Sequence, residues 1–283
     1  MRLSQEEYEI RPAATPAEYR ACQRAQELAW GIVEQGYLVP IATMASVQLH
    51  GGLVLGAFTP RGEALGLSFA FLGRIEGELC LYSQLTGVVP GNQSRGIGVE
   101  LKTAQRDFAR SQGLKTIAWA FDPLQYGNAR FNLNKLGATS SRYIEDMYGP
   151  RTDALNAAAG PTDRLIAIWP TDLAESRSYQ IDQLNLDKIP RLIRTDARFE
   201  NVRDVAAIVD LAAIGRSTTL VLEIPASIAA LRRDDPEQAS FRLSATRTAF
   251  QAAFAAGYRA VACLPSTDFK GADRAFYLLI KES

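Results

Sequence analysis

The residues best suited to chemistry lie between Val88 and Gly98, where the chain reads Val-Val-Pro-Gly-Asn-Gln-Ser-Arg-Gly-Ile-Gly. A β-leaning run ends at Val89-Pro90 and an amphipathic run begins at Ile97, so the segment reads as a strand end, a loop and a helix start. The first N–H groups of a helix lack partners within the helix, and the aligned peptide dipoles add a positive field there. Glycines at 96 and 98 let backbone approach an anion with no Cβ between them. Gln93, Ser94, Arg95, Gly96, Ile97 and Gly98 therefore form a candidate phosphate cradle, with Arg95 placed for a charge-assisted contact. Val99-Glu100 follows Gly98 where a Walker A loop needs Lys-Ser/Thr. A dinucleotide loop needs Gly-x-Gly-x-x-Gly after the first strand of a βαβ unit, and this loop has neither that spacing nor that place. Taken alone, the pattern also suits a glycine-rich turn that merely caps a helix.

The remaining reactive side chains are sparse. His50 is the single histidine, which removes multi-imidazole metal sites, and its place in QLHGG suits a helix-terminal structural role. Cys22, Cys80 and Cys263 are widely spaced and odd in number, so they make no metal-ligand pattern and no disulfide framework. No metal is expected. Cys80 sits in an alternating apolar strand with no histidine near it in sequence, which argues against an acyl-carrying thiol. Asp122 ends the run LKTIAWAF beside Pro123, which holds it extended at a strand mouth. A turn-stabilising Asp is the plainer reading. Tyr126, Tyr143 and Tyr148 are phenols able to donate a proton, and each also suits packing.

These residues need a frame. Tyr8–Arg11 reads as a short strand. Thr15-Pro16-Ala17-Glu18 is a capping box with Pro at the first helical position, and Ala21, Ala25, Leu28 and Ile32 give the helix an apolar stripe. A second helix is predicted over Ile41–Leu49. GLVLGAF, ALGLSFAFLG and ELCLYSQLTGVV follow as strands joined by short turns, which suits an antiparallel meander. In the helix after the loop, Ile97, Leu101, Ala104 and Phe108 form the apolar stripe, with Lys102, Arg106, Asp107 and Arg110 on the other face. LKTIAWAF is a strand buried on both faces, NARFNLNKLG a helix stopped by Gly137, and SRYIEDMY and RLIAIWP further strands. Linkers are expected at 151–161 and 171–178. A boundary near residue 172 separates a first domain, 1–172, from a second, 173–283, holding TTLVLEIP, the helix SFRLSATRTAFQAAFAAG, YRAVACLP and AFYLLIK.

Composition sets limits. The chain has 283 residues, 47% hydrophobic and 22% charged, with 31 basic and 31 acidic side chains. A zero net charge gives no electrostatic reason to expect nucleic acid as a partner. No apolar run approaches the roughly 18 residues a membrane span needs. The N-terminus, MRLSQEEYEI, has no apolar core of a secretory signal. A cytoplasmic protein with no membrane partner is the expectation.

Gln93-Ser94-Arg95-Gly96-Ile97-Gly98 after Val88-Val89-Pro90 resembles the Gln/Arg-x-x-Gly-x-Gly/Ala signature of the GNAT acetyltransferase superfamily, and NARFNLNKLGA resembles the family's next helix. LKTAQRDFA, TIAWAFDPL, Tyr148-Gly149, Ile224-Pro225 and Thr246-Arg247-Thr248-Ala249-Phe250 resemble a bacterial group within it that carries a C-terminal extension. The resemblance covers roughly residues 1–170. It implies an α/β fold with a mixed sheet and a C-terminal extension; TTLVLEIP ending in Pro like LTGVVP, Leu243 and Phe250 spaced seven apart like Leu101 and Phe108, and helices ended by Gly257 and Gly113 read the second α/β domain as a possible degenerate echo of the first, though any strand–helix–strand unit gives such matches. It implies acetyl-CoA as co-substrate, held at its pyrophosphate by Gln93–Gly98, along its pantetheine arm by Thr86, Val88 and Val89, and by Asn128. The implied reaction is direct attack of a small-molecule amine on the thioester in a ternary complex, and a homodimer is compatible with it. Two family features are absent. The strand before the loop, Leu81-Tyr82-Ser83-Gln84-Leu85-Thr86-Gly87, has no carboxylate, and Leu133 stands where many members place an acid tyrosine. Asp122, Tyr148 and Tyr126 are the candidate substitutes. An acyl-CoA-binding module with lapsed catalysis is the alternative.

Overall fold

The computed structural model describes residues 7–32, 35–149, 160–172, 186–195, 207–265 and 274–282. The expected linkers fall largely outside these residues. The chain divides into two compact units, the first built mainly from Met1–Trp119 and the second mainly from Ala120–Arg151, Asn156–Trp169 and Ser176–Ser283.

The first unit opens with β1 (Glu9–Pro12) and α1 (Pro16–Trp30). Thr15 and Glu18 form the expected capping box, and Gly31 closes α1 in the left-handed region at φ 61°. Glu18 also takes Arg11, which with the bonded Ala14 N–H lowers its carboxyl to about 2. The buried face of α1 is Tyr19, Cys22, Ala25 and Gln26, while Leu28 is 44% exposed. This corrects the expected stripe: Gln26 is drawn inward because its amide bridges Tyr37 O and Val39 N.

After α2 (Ile41–Leu49), β2 (Leu53–Phe58), β3 (Ala64–Ile75) and β4 (Glu78–Val88) form the predicted meander, with β1 antiparallel to β2 on the outside. α3 (Ile97–Ser111) then leads to β5 (Thr116–Phe121), which pairs parallel with β4. α3 lies close on β3: a Cβ added at Gly66 would come within 3.1 Å of Ile97 and 3.3 Å of Leu101. His50 caps α2, its Nδ1 2.7 Å from Ser46 O, in the structural role expected of it.

The second unit starts with α4 (Tyr126–Arg130), which runs into a single wide π-helical turn over Phe131–Lys135 before Gly137. β6 (Thr139–Ile144) pairs antiparallel with β7 (Arg164–Pro170). β8 (Ile193–Thr195) and β9 (Ala207–Val209) make a small separate sheet. β10 (Thr219–Pro225), α5 (Ile228–Asp234), α6 (Pro236–Ala255), β11 (Tyr258–Pro265) and β12 (Arg274–Lys281) complete it. β12 lies between β10 and β11 and is antiparallel to both.

The division at Trp119 differs from the boundary expected at residue 172, because β6 and β7 are tied to C-terminal elements. Ala260 of β11 pairs with Ser140 of β6. Arg247 of α6 forks onto Asp163, with Nε 2.8 Å from Oδ2 and Nη2 3.0 Å from Oδ1, and it also pairs with Glu145. Tyr143 donates to the same Asp163 at 2.5 Å and stacks on Phe250 with ring centroids 5.9 Å apart. Burial pushes the Asp163 carboxyl up, but Arg247, Tyr143 and the Asp146 N–H outweigh it and hold it below the ordinary range. The resulting stabilisation is present at neutral pH and is lost as pH falls through that lowered value. Replacing Arg247 with Met strands a buried carboxylate and is expected to cost about 3 kcal/mol at pH 7. Urea unfolding at pH 7 measures this, and a loss under about 0.5 kcal/mol, the usual effect of a surface change, contradicts it.

Candidate functional site

The candidate cradle is built where β4 ends and α3 begins. Asn92 adopts αR geometry, Gln93–Arg95 make one 3-10 turn, and Gly96 swings to φ 86° before the helix starts at Ile97. That φ suits glycine, since a side chain there is strained even though the nearest atom to an added Cβ is 3.7 Å away. Gly96 is also the N-cap, and no side chain caps α3. The helix start thus keeps the donor capacity that an anion would use. Arg95 folds back onto Asn92 Oδ1 at 2.8 Å and over the Tyr8 ring at 4.9 Å, while Tyr8 donates to Glu100 Oε1 at 2.9 Å.

β4 carries the second part of the site. Its register against β3 slips between Leu85, opposite Phe69, and Ser83, opposite Ala70, which leaves Gln84 as the extra residue of a β-bulge. Pairing of β4 with β5 is confined to Leu81 with Ile117 and Tyr82 with Ala118. Val89 donates its N–H to Leu65 O across β3, and Ser68 Oγ donates to Leu85 O. Strand alternation then turns the N–H and C=O of Thr86 and Val88 the other way, onto an edge with no ladder partner among the described residues. The structure therefore brings the expected backbone donors of Thr86 and Val88 and the Gln93–Gly98 turn onto one continuous stretch. Val89 is the exception, because its N–H is already spent on β3. Trp30 closes over this stretch, its ring 2.4 Å from where a Cβ on Gly87 would stand.

Beneath that edge lies a polar cluster that sequence reasoning missed. The buried face of α3 is Ile97, Leu101, Lys102, Gln105 and Ala109, so Lys102 is in the core rather than on the solvent face assigned to it. Only 3% of Lys102 is exposed. Its Nζ donates to Ser83 Oγ at 2.8 Å and stands 3.8 Å from the Trp119 ring centroid. Ser83 donates to Gln105 Oε1 at 3.1 Å and lies 3.5 Å from Thr86 Oγ1, which is 2.7 Å from Ser68 Oγ. The bulge puts Ser83 and Thr86 on the same face, where regular alternation would separate them. Burial lowers the Lys102 ammonium from 10.5 to about 7. The signal was present as Lys102 and Gln105 one turn apart, next to Leu101 and opposite a serine-bearing strand.

The catalytic candidates fall in the second unit. Asp122 Oδ1 accepts the Leu124 N–H at 2.8 Å and Oδ2 meets Arg232 at 3.5 Å, so it holds the β5–α4 turn and keeps an ion-pair partner. Tyr126 is half-buried at the start of α4, and burial raises its phenol. Asn128 is exposed on α4 and accepts from Asn132 at 3.2 Å. Tyr148 is 43% exposed and belongs to the β6–β7 connection, with Arg164 over its ring at 5.2 Å. Cys80 is a buried free thiol whose pKa burial raises. No cluster of metal-ligating side chains occurs among the described residues, and no helix among them is long and apolar enough to cross a membrane.

No protein-family model matches the chain and no curated protein matches it. Several solved structures are similar to it. One is yncA from Salmonella typhimurium, solved with its cofactor acetyl-CoA, at TM-score 0.46 and 19% identity over 62% of this chain and 99% of that one. Another is the ribosomal-protein-S18-alanine N-acetyltransferase from Escherichia coli, at 0.44 and 19% over 61% and 99%. A third is an acetyltransferase of the GNAT family from Staphylococcus aureus Mu50, at 0.41 and 13% over 58% and 99%.

The buried lysine has a measurable signature. Between about 7 and 10.5 the unfolded chain binds a proton at Lys102 that the folded chain does not, so stability rises with pH across that window. Lys102→Met is expected to be more stable than the parent at pH 7 and to lose that rise. Denaturant midpoints taken across the window check it, and parallel curves for the two proteins contradict it.

Proposed function

We propose that the chain is an acyl-CoA-dependent N-acyltransferase of the GNAT type, moving an acetyl group from acetyl-CoA to a small-molecule amine. The observation that carries this reading is the coupling of two features on one stretch. An uncapped helix start follows Gly96, and the edge of β4 at Thr86 and Val88, without a strand partner among the described residues, precedes it. A diphosphate suits the first and an extended amide-bearing arm suits the second. In this reading the N–H groups of residues 93–98 hold the diphosphate, the β4 edge bonds the pantetheine amides and polarises the thioester carbonyl, and Asn128 meets the arm. The Asp122 carboxylate attracts the acceptor ammonium. The phenol of Tyr126 or Tyr148 protonates the leaving thiolate, and the raised Tyr126 phenol stays protonated at neutral pH.

The test is calorimetric binding of acetyl-CoA together with release of coenzyme A thiol over a panel of amino acids, diamines, aminoglycosides and peptide N-termini. Gly96→Val is expected to weaken binding at least about tenfold, roughly 1.4 kcal/mol. Unchanged affinity in that variant refutes the cradle. Binding without thiol release from any amine leaves the lapsed-module alternative instead.

A further inference from the structure

Lys102 is a buried amine with an unusual setting. Its neighbours are Ser83 on β4, Gln105 on α3 and the face of Trp119 on β5. No carboxylate contacts its Nζ among the described residues. The ionisable groups on the elements packed against α3 are engaged elsewhere or lie at strand ends. Glu9 and Arg11 of β1 pair with each other, Arg11 also with Glu18, and Arg74 of β3 bonds Gly77 O. Glu78 stands exposed at the start of β4, Cys80 is a buried thiol, and Tyr82 packs on Phe71 with ring centroids 5.4 Å apart. On α3 itself, Glu100 takes Tyr8, Asp107 and Arg110 are exposed and Arg106 is half-buried. A lysine buried for packing alone gains nothing from its nitrogen, and a Leu or Met fills such a site without the desolvation cost.

The hydroxyls give the nitrogen an outlet. From Nζ the path runs 2.8 Å to Ser83 Oγ and 3.5 Å on to Thr86 Oγ1, the longest link. Thr86 is half-buried, its hydroxyl also lies 2.7 Å from Ser68 Oγ, and its backbone faces the side of β4 that has no ladder partner among the described residues. We propose that Lys102 is the proton acceptor of the acyl-transfer reaction, reached from the β4 edge through the hydroxyls of Thr86 and Ser83. The inference rests on the acyltransferase reading above and supplies the base that the β4 sequence lacks.

The step balances. The acceptor ammonium gives one proton to the Thr86 hydroxyl, which turns from Ser68 to give its own to Ser83, and Ser83 turns from Gln105 to give its own to the lone pair of Lys102 Nζ. The freed amine attacks the thioester carbonyl, forming the C–N bond as the C–S bond breaks. The phenol of Tyr126 or Tyr148 protonates the leaving sulfur and is restored by the second nitrogen proton, and the third stays on the amide. Lys102, now an ammonium over the Trp119 face, returns its proton by the same route. Its value of about 7 leaves the amine substantially neutral and ready at physiological pH. Lys102 acts through Ser83 and touches no substrate itself.

The experiment compares wild type, Lys102→Met and Ser83→Ala for acetyl-CoA affinity and for thiol release with the amine panel across about pH 5.5 to 9. Wild-type turnover is expected to fall on the acid side with a midpoint near 7. Lys102→Met should keep its acetyl-CoA affinity within about twofold, lose at least about a hundredfold in kcat and lose the acid limb. Ser83→Ala keeps the lysine and removes only the link, so it should lose kcat to a similar degree, and it serves if Lys102→Met folds poorly. Either variant retaining wild-type kcat and the same acid limb overturns the proposal while the acyltransferase reading stands. Wild type that binds acetyl-CoA but releases no thiol overturns that reading, and the role of Lys102 with it.

Discussion

The extra residue Gln84 in β4 is the constraint on which the candidate site depends. A strand within a sheet gives alternate backbone groups to its two neighbours, and one inserted residue reverses which neighbour each later residue faces. Upstream of the bulge, Leu81 and Tyr82 pair with β5. Downstream, Leu85 and Val89 are committed to β3, which leaves Thr86 and Val88 presenting donors and acceptors to an edge with no strand partner among the described residues. The same slip places Ser83 and Thr86 on the face that α3 covers. Groups that could grip an extended ligand and groups that could move a proton therefore arise from a single irregularity. Such edges are rarely left open unless something covers them.

Gly96 sets the other end. Its positive φ lets the chain turn from a 3-10 turn directly into α3 without a capping side chain. An Asp or Ser at this position would satisfy the helix donors from within, and the strained φ would add a backbone cost. α6 illustrates the contrast. Asp235 caps it through Gln238 N, so its start is already occupied by a carboxylate. The strand–helix–strand order of β4, α3 and β5 recurs in β10, α6 and β11, but the adjacency does not. β4 and β5 are neighbours, whereas β12 separates β10 from β11. The recurrence is one of order along the chain, without the parallel pairing of neighbours seen between β4 and β5.

Much of this was legible in residue types. The capping box at Thr15, the meander of β2 to β4, the glycine loop and the burial of β5 all follow from local rules that no tertiary contact overrides. The bulge was not legible, because Ser83-Gln84-Leu85 carries no glycine or proline to mark it, and its register is fixed only by β3. The faces of α1 and α3 were misjudged for one reason. Hydrophobic periodicity assumes that polar residues point to water, and Gln26, Lys102 and Gln105 instead satisfy buried backbone or hydroxyl partners. Asp122 and Tyr126 were found as residue types at a strand mouth, but the partner of Asp122, Arg232, lies 110 residues away in sequence and could not be read from spacing.

A crystal structure of the complex with acetyl-CoA tests the proposed placement of the molecule along β4 with its diphosphate on the start of α3. Diphosphate oxygens are expected about 3 Å from backbone nitrogens within residues 93–98, with pantetheine amides bonded to the backbone of Thr86 and Val88. A diphosphate bound elsewhere, or a β4 edge left uncovered in the complex, contradicts it.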